Sequence, residues 1–155
     1  IPPLYDFLEQ SMIAAVFSYQ AVEAFTNGVI GRHLNAPMKV PRGRKLKELT
    51  PEQLARQLST KEKLMWVLPK MREVESPVGS AKWKRFERLE SARDSTVHLK
   101  VKDQYGKDRD SLFFKMLSIT TTEFPSAAVS IIHHYFKPDQ EPRWLLKFLT
   151  SRDHS

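Results

Sequence analysis

The sequence holds no cysteine. That one absence removes disulfides, thiolate zinc sites and a cysteine nucleophile together. It suits a reducing, cytoplasmic setting. No apolar run approaches the roughly 20 residues needed to span a bilayer, so a soluble chain without membrane contact is expected. Glycine is sparse, and the residues at 28, 31, 43, 79 and 106 are too scattered to build a phosphate-cradling loop. No Ser-His-Asp hydrolase pattern is visible. No pattern points to a redox cofactor, and the expectation is that none is needed. No internal repeat, low-complexity tract or domain linker breaks the 155 residues, which read as a single domain.

Apolar residues make up 41% of the chain and charged residues 28%, ordinary values for a globular protein with its own core. The net charge is +7, and its placement matters more than its size. Residues 39–72 hold ten Lys and Arg against three Glu, an excess equal to the charge of the whole chain. A phosphate backbone attracts such a concentration of cations. A solvated surface is the plainer reading of any charge run. On the nucleic-acid reading, Arg42, Arg44, Lys45 and Lys47 are the candidate RNA-binding residues.

Helical signals dominate. Leu4, Leu8, Ala15, Tyr19, Val22, Phe25 and Val29 recur at three- and four-residue steps, which predicts one long helix over 4–34. It is apolar enough to be expected at the centre of a bundle. Residues 35–48, with two prolines, a glycine and five basic residues, read as an exposed connection. Thr50, Pro51 and Gln53 form a helix-start signature. Ser59 or Thr60 starts another helix, which Pro69 should kink or end. Further helices are expected over 81–98, 110–117, 122–136 and 142–149, with a polar loop or short hairpin over 100–111. The predicted fold class is all-α, a bundle of about five main helices.

One helix carries an anomaly. On an ideal helix Val97 falls about 20° from Phe86 and Arg93 about 20° to the other side, with Trp83 and Leu89 flanking at about 60°. Arg93 therefore occupies the middle of an apolar stripe. A guanidinium there must be paired, or must border a cleft or an interface. Asp94 and His98 are four residues apart and within side-chain reach, so the carboxylate can orient the imidazole. Arg93 and His98 sit about 140° apart on a regular helix. They meet only if the helix breaks between them or a second copy of the chain brings its own pair close. The purely structural alternative is a buried ion pair, with Glu23 as the partner of Arg93, and a histidine favoured by the helix dipole.

The pattern Arg93-Asp94-Ser95-Thr96-Val97-His98, closing a helix with Trp83, Phe86 and Leu89 upstream, resembles the HEPN family (higher eukaryotes and prokaryotes nucleotide-binding domains). The segment "FSYQAVEAFTNGVI", residues 17–30, resembles the first long helix of that family, with Glu23 and Asn27 embedded in it. The likeness covers residues 10–36 and 60–136 loosely. The stretch 37–58 has no counterpart and reads as a basic insertion.

The resemblance implies a HEPN-like helical domain acting as a homodimer, often a metal-independent endoribonuclease of toxin–antitoxin or antiviral systems. Other members only bind RNA, nucleotides or a protein partner such as an antitoxin. On the catalytic reading, His98 takes the proton of the RNA 2′-hydroxyl and the Arg93 fork meets the phosphorane oxygens. Asp94 orients His98, while Glu23, Asn27 and Ser95 support the site. No metal ligand is expected: His133 and His134 are adjacent and point apart on a helix, with no acid at ligand spacing upstream. Tyr135 and Phe136 are expected in the core, and Trp66 and Trp144 in the core or an interface.

Overall fold

The computed structural model describes residues 2–98, 116 and 122–150. The expected loop over 100–111 and the helix over 110–117 lie outside these residues, Met116 excepted. The fold is mainly helical. α1 is Pro2–His33, β1 Met38–Arg42, β2 Lys45–Leu49, α2 Pro51–Gln57 and α3 Thr60–Glu62. A π-helical turn, Lys63–Val67, leads into α4, Leu68–Arg72. α5 is Ala81–Val97, α6 Glu123–His133 and α7 Arg143–Thr150, with a 3-10 turn at Pro138–Gln140. Among the described residues, no helix is long and apolar enough to cross a membrane.

Local chemistry sets most boundaries. Thr50 and Ser59 each close a capping box, Thr50 with Gln53 and Ser59 with Glu62, satisfying donors that a helix start leaves open. Ser80 caps α5 by accepting from the Trp83 backbone N–H. Each cap contributes about 1 kcal/mol. Residues 38–49, expected as an exposed connection, form an antiparallel hairpin instead. Arg42 pairs with Lys45 across a two-residue turn. Gly43 there has φ +62, and Arg44 is not among the residues with positive φ, the pattern of a type II′ turn. Val40 and Leu49 are fully buried and root the ribbon.

The chain folds as two compact units, each drawn from two stretches. The first comprises residues 1–22 and 79–128. Its core holds Ala15, Tyr19, Val22, Trp83, Phe86, Leu89, Ala92, Met116 and Phe124. Burying Phe86 and Leu89 contributes roughly 1.5–3 kcal/mol each. The second comprises residues 23–78 and 129–155, with Ile30, Leu54, Leu64, Leu68, Ile131, Tyr135 and Leu145 at its centre.

Pro69 does not end its helix. The chain loosens into a π turn just before it and continues to Arg72, where Glu73 leaves in a left-handed conformation, φ 54 and ψ 45. The π turn hands the Leu68 N–H to the Lys63 carbonyl. The Leu64 carbonyl thus loses its usual donor, and the next amide along belongs to Pro69, which has no hydrogen. The Tyr135 hydroxyl donates to that carbonyl at 2.6 Å. Tyr135 is buried and packs on Phe25, as expected of a core residue. Burial pushes its phenol well above the ordinary tyrosine value.

Replacing Tyr135 by Phe strands a buried carbonyl and is expected to cost about 1–3 kcal/mol at neutral pH. Above pH 10.0, the ordinary tyrosine value, the unfolded wild-type chain ionises while the folded phenol stays neutral, so the wild type loses stability that the variant keeps. Urea midpoints at neutral pH and above pH 10 should show the gap narrowing; a gap that is absent at neutral pH contradicts this account of Pro69.

Candidate active site

The first unit carries the anomalous arginine. Trp83, Phe86 and Leu89 of α5 are buried, as their spacing predicted, and Ala92 is buried with them. The next turn is not. Arg93 is partly exposed, Val97 is 54% exposed and His98 lies at the exposed helix end. Val97 therefore departs from the expected stripe, because α5 runs beyond the core that covers its first three turns.

The Arg93 guanidinium lies over the Tyr19 ring, 3.8 Å from its centroid. Its Nη1 is 2.8 Å from the Asp94 carboxylate. Tyr19 stacks on Phe86 with centroids 6.1 Å apart, and Phe86 in turn meets Trp83 at 5.4 Å. A row of rings thus fixes the platform on which the cation rests. A cation over a ring gains about 0.5–2 kcal/mol, rising as water is excluded. The side chain of Arg93 is 25% exposed and that of Asp94 52%, so the pair faces solvent. An ion pair so placed contributes about 0–1 kcal/mol and can be displaced by another anion.

Sequence spacing had assigned Asp94 to His98. The side-chain ion pair of Asp94 is with Arg93, and its link to His98 is through the backbone, where the His98 N–H donates to the Asp94 carbonyl at 2.9 Å. Thr96 donates its hydroxyl to the Ala92 carbonyl at 2.9 Å, and Ser95 is half-buried. Tyr19, the residue that holds the guanidinium, was legible only as a core position.

Beside this turn lies an open, largely apolar groove of about 580 Å³. Tyr5, Leu8, Met12, Ile13 and Phe17 of α1 line it together with Thr96. The first half of α1 is therefore not enclosed. Tyr5 is 66% and Phe17 65% exposed.

In the second unit, Glu23 and Asn27 attend another cation. Lys63 is buried on the π turn, and its Nζ donates to Asn27 Oδ1 and to the Ala55 carbonyl, both at 2.7 Å. Burial lowers its pKa below the ordinary 10.5, while the charges of Glu23 and Glu62 pull it back up. Of the candidate RNA-binding residues, Arg42 is half-buried and tied to the fold. Its Nη2 donates to the Gln57 carbonyl at 2.8 Å, and its Nη1 pairs with Glu62 at 3.3 Å. Arg44, Lys45 and Lys47 are exposed. His133 and His134 are separately engaged, His133 with Glu141 at 2.5 Å and His134 with the Glu75 carbonyl at 2.8 Å. No metal-binding group of three or more His, Asp or Glu occurs among the described residues. Trp66 is half-buried and Trp144 is 54% exposed.

The chain matches no family model, no curated protein and no solved structure.

Replacing Arg93 by Met separates a structural from a chemical role. Methionine fills the space over Tyr19 and removes a half-desolvated charge, so unfolding free energy should change by less than about 1 kcal/mol in either direction. Thermal or urea unfolding measures it; a loss of several kcal/mol would mark the arginine as part of the fold's support.

Proposed function

We propose that this chain is a HEPN-like, metal-independent endoribonuclease of the toxin or antiviral-defence type, working in the cytoplasm as a homodimer. The observation that carries the reading is the last turn of α5. A guanidinium rests half-open on a ring, Asp94 neutralises it only at the solvent side, and an exposed imidazole follows five residues later. A phosphate can replace the Asp94 carboxylate and receive the two-pronged donor.

RNA brings its own nucleophile. His98 accepts the proton of the 2′-hydroxyl, the 2′-oxygen bonds to phosphorus, and the bond to the 5′-oxygen breaks. Arg93 stabilises the charge that gathers on the phosphorane oxygens. The departing oxygen takes a proton from water. The products are a 2′,3′-cyclic phosphate and a 5′-hydroxyl. Asp94 holds Arg93 in place until substrate arrives. Ser95 remains a candidate support.

Arg93 and His98 point about 140° apart on a regular helix, so one copy of α5 does not converge both on one phosphate. A second copy solves this by pairing the Arg93 of one subunit with the partner subunit's His98. The groove containing Thr96 and the exposed Tyr5, Ile13 and Phe17 supports such a pairing: it adjoins the motif turn and offers α1 a self-complementary apolar stripe. An antitoxin or defence-complex protein is the expected further partner. A second reading, a non-catalytic RNA-, nucleotide- or protein-binding module, is favoured by one observation, the Arg93–Asp94 pair that already occupies the cation.

Purified protein incubated with RNA in EDTA should leave cyclic-phosphate ends, and RNA with a 2′-deoxy position at the cleavage site should resist there. Arg93→Ala and His98→Ala should each abolish cleavage with the fold kept. Phe17→Glu should yield monomers by light scattering and lose activity with them. Full cleavage by either motif variant rejects the scheme, and folded wild type with no activity on any RNA favours the binding module.

A further inference from the structure

The scheme above leaves the β1–β2 ribbon without a task. Its root is fixed in three ways: Val40 and Leu49 are fully buried, Arg42 is tied to Gln57 and Glu62, and Lys70 donates to the Lys39 carbonyl at 3.0 Å. Its turn and second strand are different. Arg44, Lys45 and Lys47 are exposed, and no hydrogen bond or ion pair among the described residues engages their side chains. Register sets Glu48, the ribbon's one acid, opposite Lys39 and away from that trio.

The composition of the ribbon is as telling as its charge. Between Met38 and Leu49 there is no aromatic residue, no Asn, Gln, Ser or Thr, which leaves Arg44 as the one fully exposed group able to stack on a base. Bases of single strands are recognised by stacking on rings or guanidinium planes and by amide or hydroxyl contacts to their edges. In an RNA duplex the major groove is too deep and narrow for side chains to read. Lysine ammoniums on a rigid support meet phosphates as point charges and release counterions.

We propose that the ribbon is a sequence-blind grip for the RNA phosphate backbone, with Arg44, Lys45 and Lys47 as its contacts and Arg42 as its anchor. The proposal rests on the RNA reading of the chain but not on cleavage. Leu46, 68% exposed between Lys45 and Lys47, raises one competing partner, an anionic lipid surface. A single aliphatic side chain supplies only about 1.5–3 kcal/mol of insertion, too little to hold a bilayer without a larger apolar patch.

The test uses the full chain carrying Arg93→Ala, so that RNA survives the measurement. Fluorescence anisotropy with labelled oligo(U), oligo(A) and a mixed-sequence RNA duplex is recorded from roughly 50 to 200 mM salt. Changing Arg44, Lys45 and Lys47 together to Ala should flatten the log–log salt slope by about 2 on single strands and somewhat more on the duplex. Affinity at low salt should fall at least tenfold, equally for oligo(U) and oligo(A), with the circular dichroism spectrum unchanged. An unaltered slope overturns the grip, as does a strong preference between oligo(U) and oligo(A) that the three changes erase. Capture by phosphatidylserine vesicles without RNA binding overturns it too and assigns the ribbon to lipid. Wild type that grips RNA in this way yet never cuts it refutes the nuclease alone. Cleavage by the wild type, together with an unaltered slope when the three changes are made on the Arg93→Ala background, refutes the grip alone.

Discussion

A guanidinium at the rim of an apolar face must recover what it loses in hydration, and the first unit is organised around that requirement. Trp83 and Phe86 fill the core face of α5, Phe86 stacks on Tyr19, and Tyr19 offers its ring to Arg93. Each ring is held by the one before it, so the cation is placed by packing rather than by a flexible tether. The remaining compensation comes from Asp94, a solvent-facing carboxylate on the same helix. The arrangement holds the charge against a ring on one side and against a solvent-facing carboxylate on the other, the feature on which the proposed phosphate contact rests.

The second unit shows what a purely structural cation looks like in the same chain. Lys63 is buried, and its ammonium is spent on the Asn27 amide and the Ala55 carbonyl. It sits where a π turn opens the helix ahead of Pro69, and Tyr135 repairs the carbonyl that the turn exposes. That enclosed lysine, with two hydrogen bonds into the fold, braces backbone. Arg93 differs in being only partly desolvated and in having a replaceable partner. The proposed site rests on this contrast more than on the sequence spacing of Arg93 and His98.

Much of this was legible in advance. The caps at Thr50 and Ser59, the extent of α1 and the buried face of α5 follow from local hydrogen bonding and helical period. The hairpin was not, because its strands lack alternation: Val40 and Leu49 are its two fully buried residues, and Pro41, Leu46 and charged side chains fill most of the rest. Only the Gly43 turn hinted at it. Asp94 was read as a partner of His98 because ideal helix geometry counts directions and not side-chain length. The long Arg93 side chain meets the carboxylate of its own neighbour instead. Helical period marked Tyr19 as a core position but not as the seat of Arg93, since that contact joins two helices far apart in sequence, as does that of Lys63 with Asn27. The exposed flank of α1 was hidden by its composition: a helix apolar on more than one face reads as central, yet Tyr5, Ile13 and Phe17 face outward.

The central claim is that one subunit's guanidinium and its partner's imidazole form a single cutting site. Subunit complementation tests it most directly. Arg93→Ala and His98→Ala chains, each inactive alone, are mixed, unfolded together and refolded. Random pairing makes about half the dimers mixed, each with one intact site of two, so about a quarter of wild-type RNA cleavage should return. A mixture as inactive as its parents, with mixed dimers demonstrably present, would contradict the account.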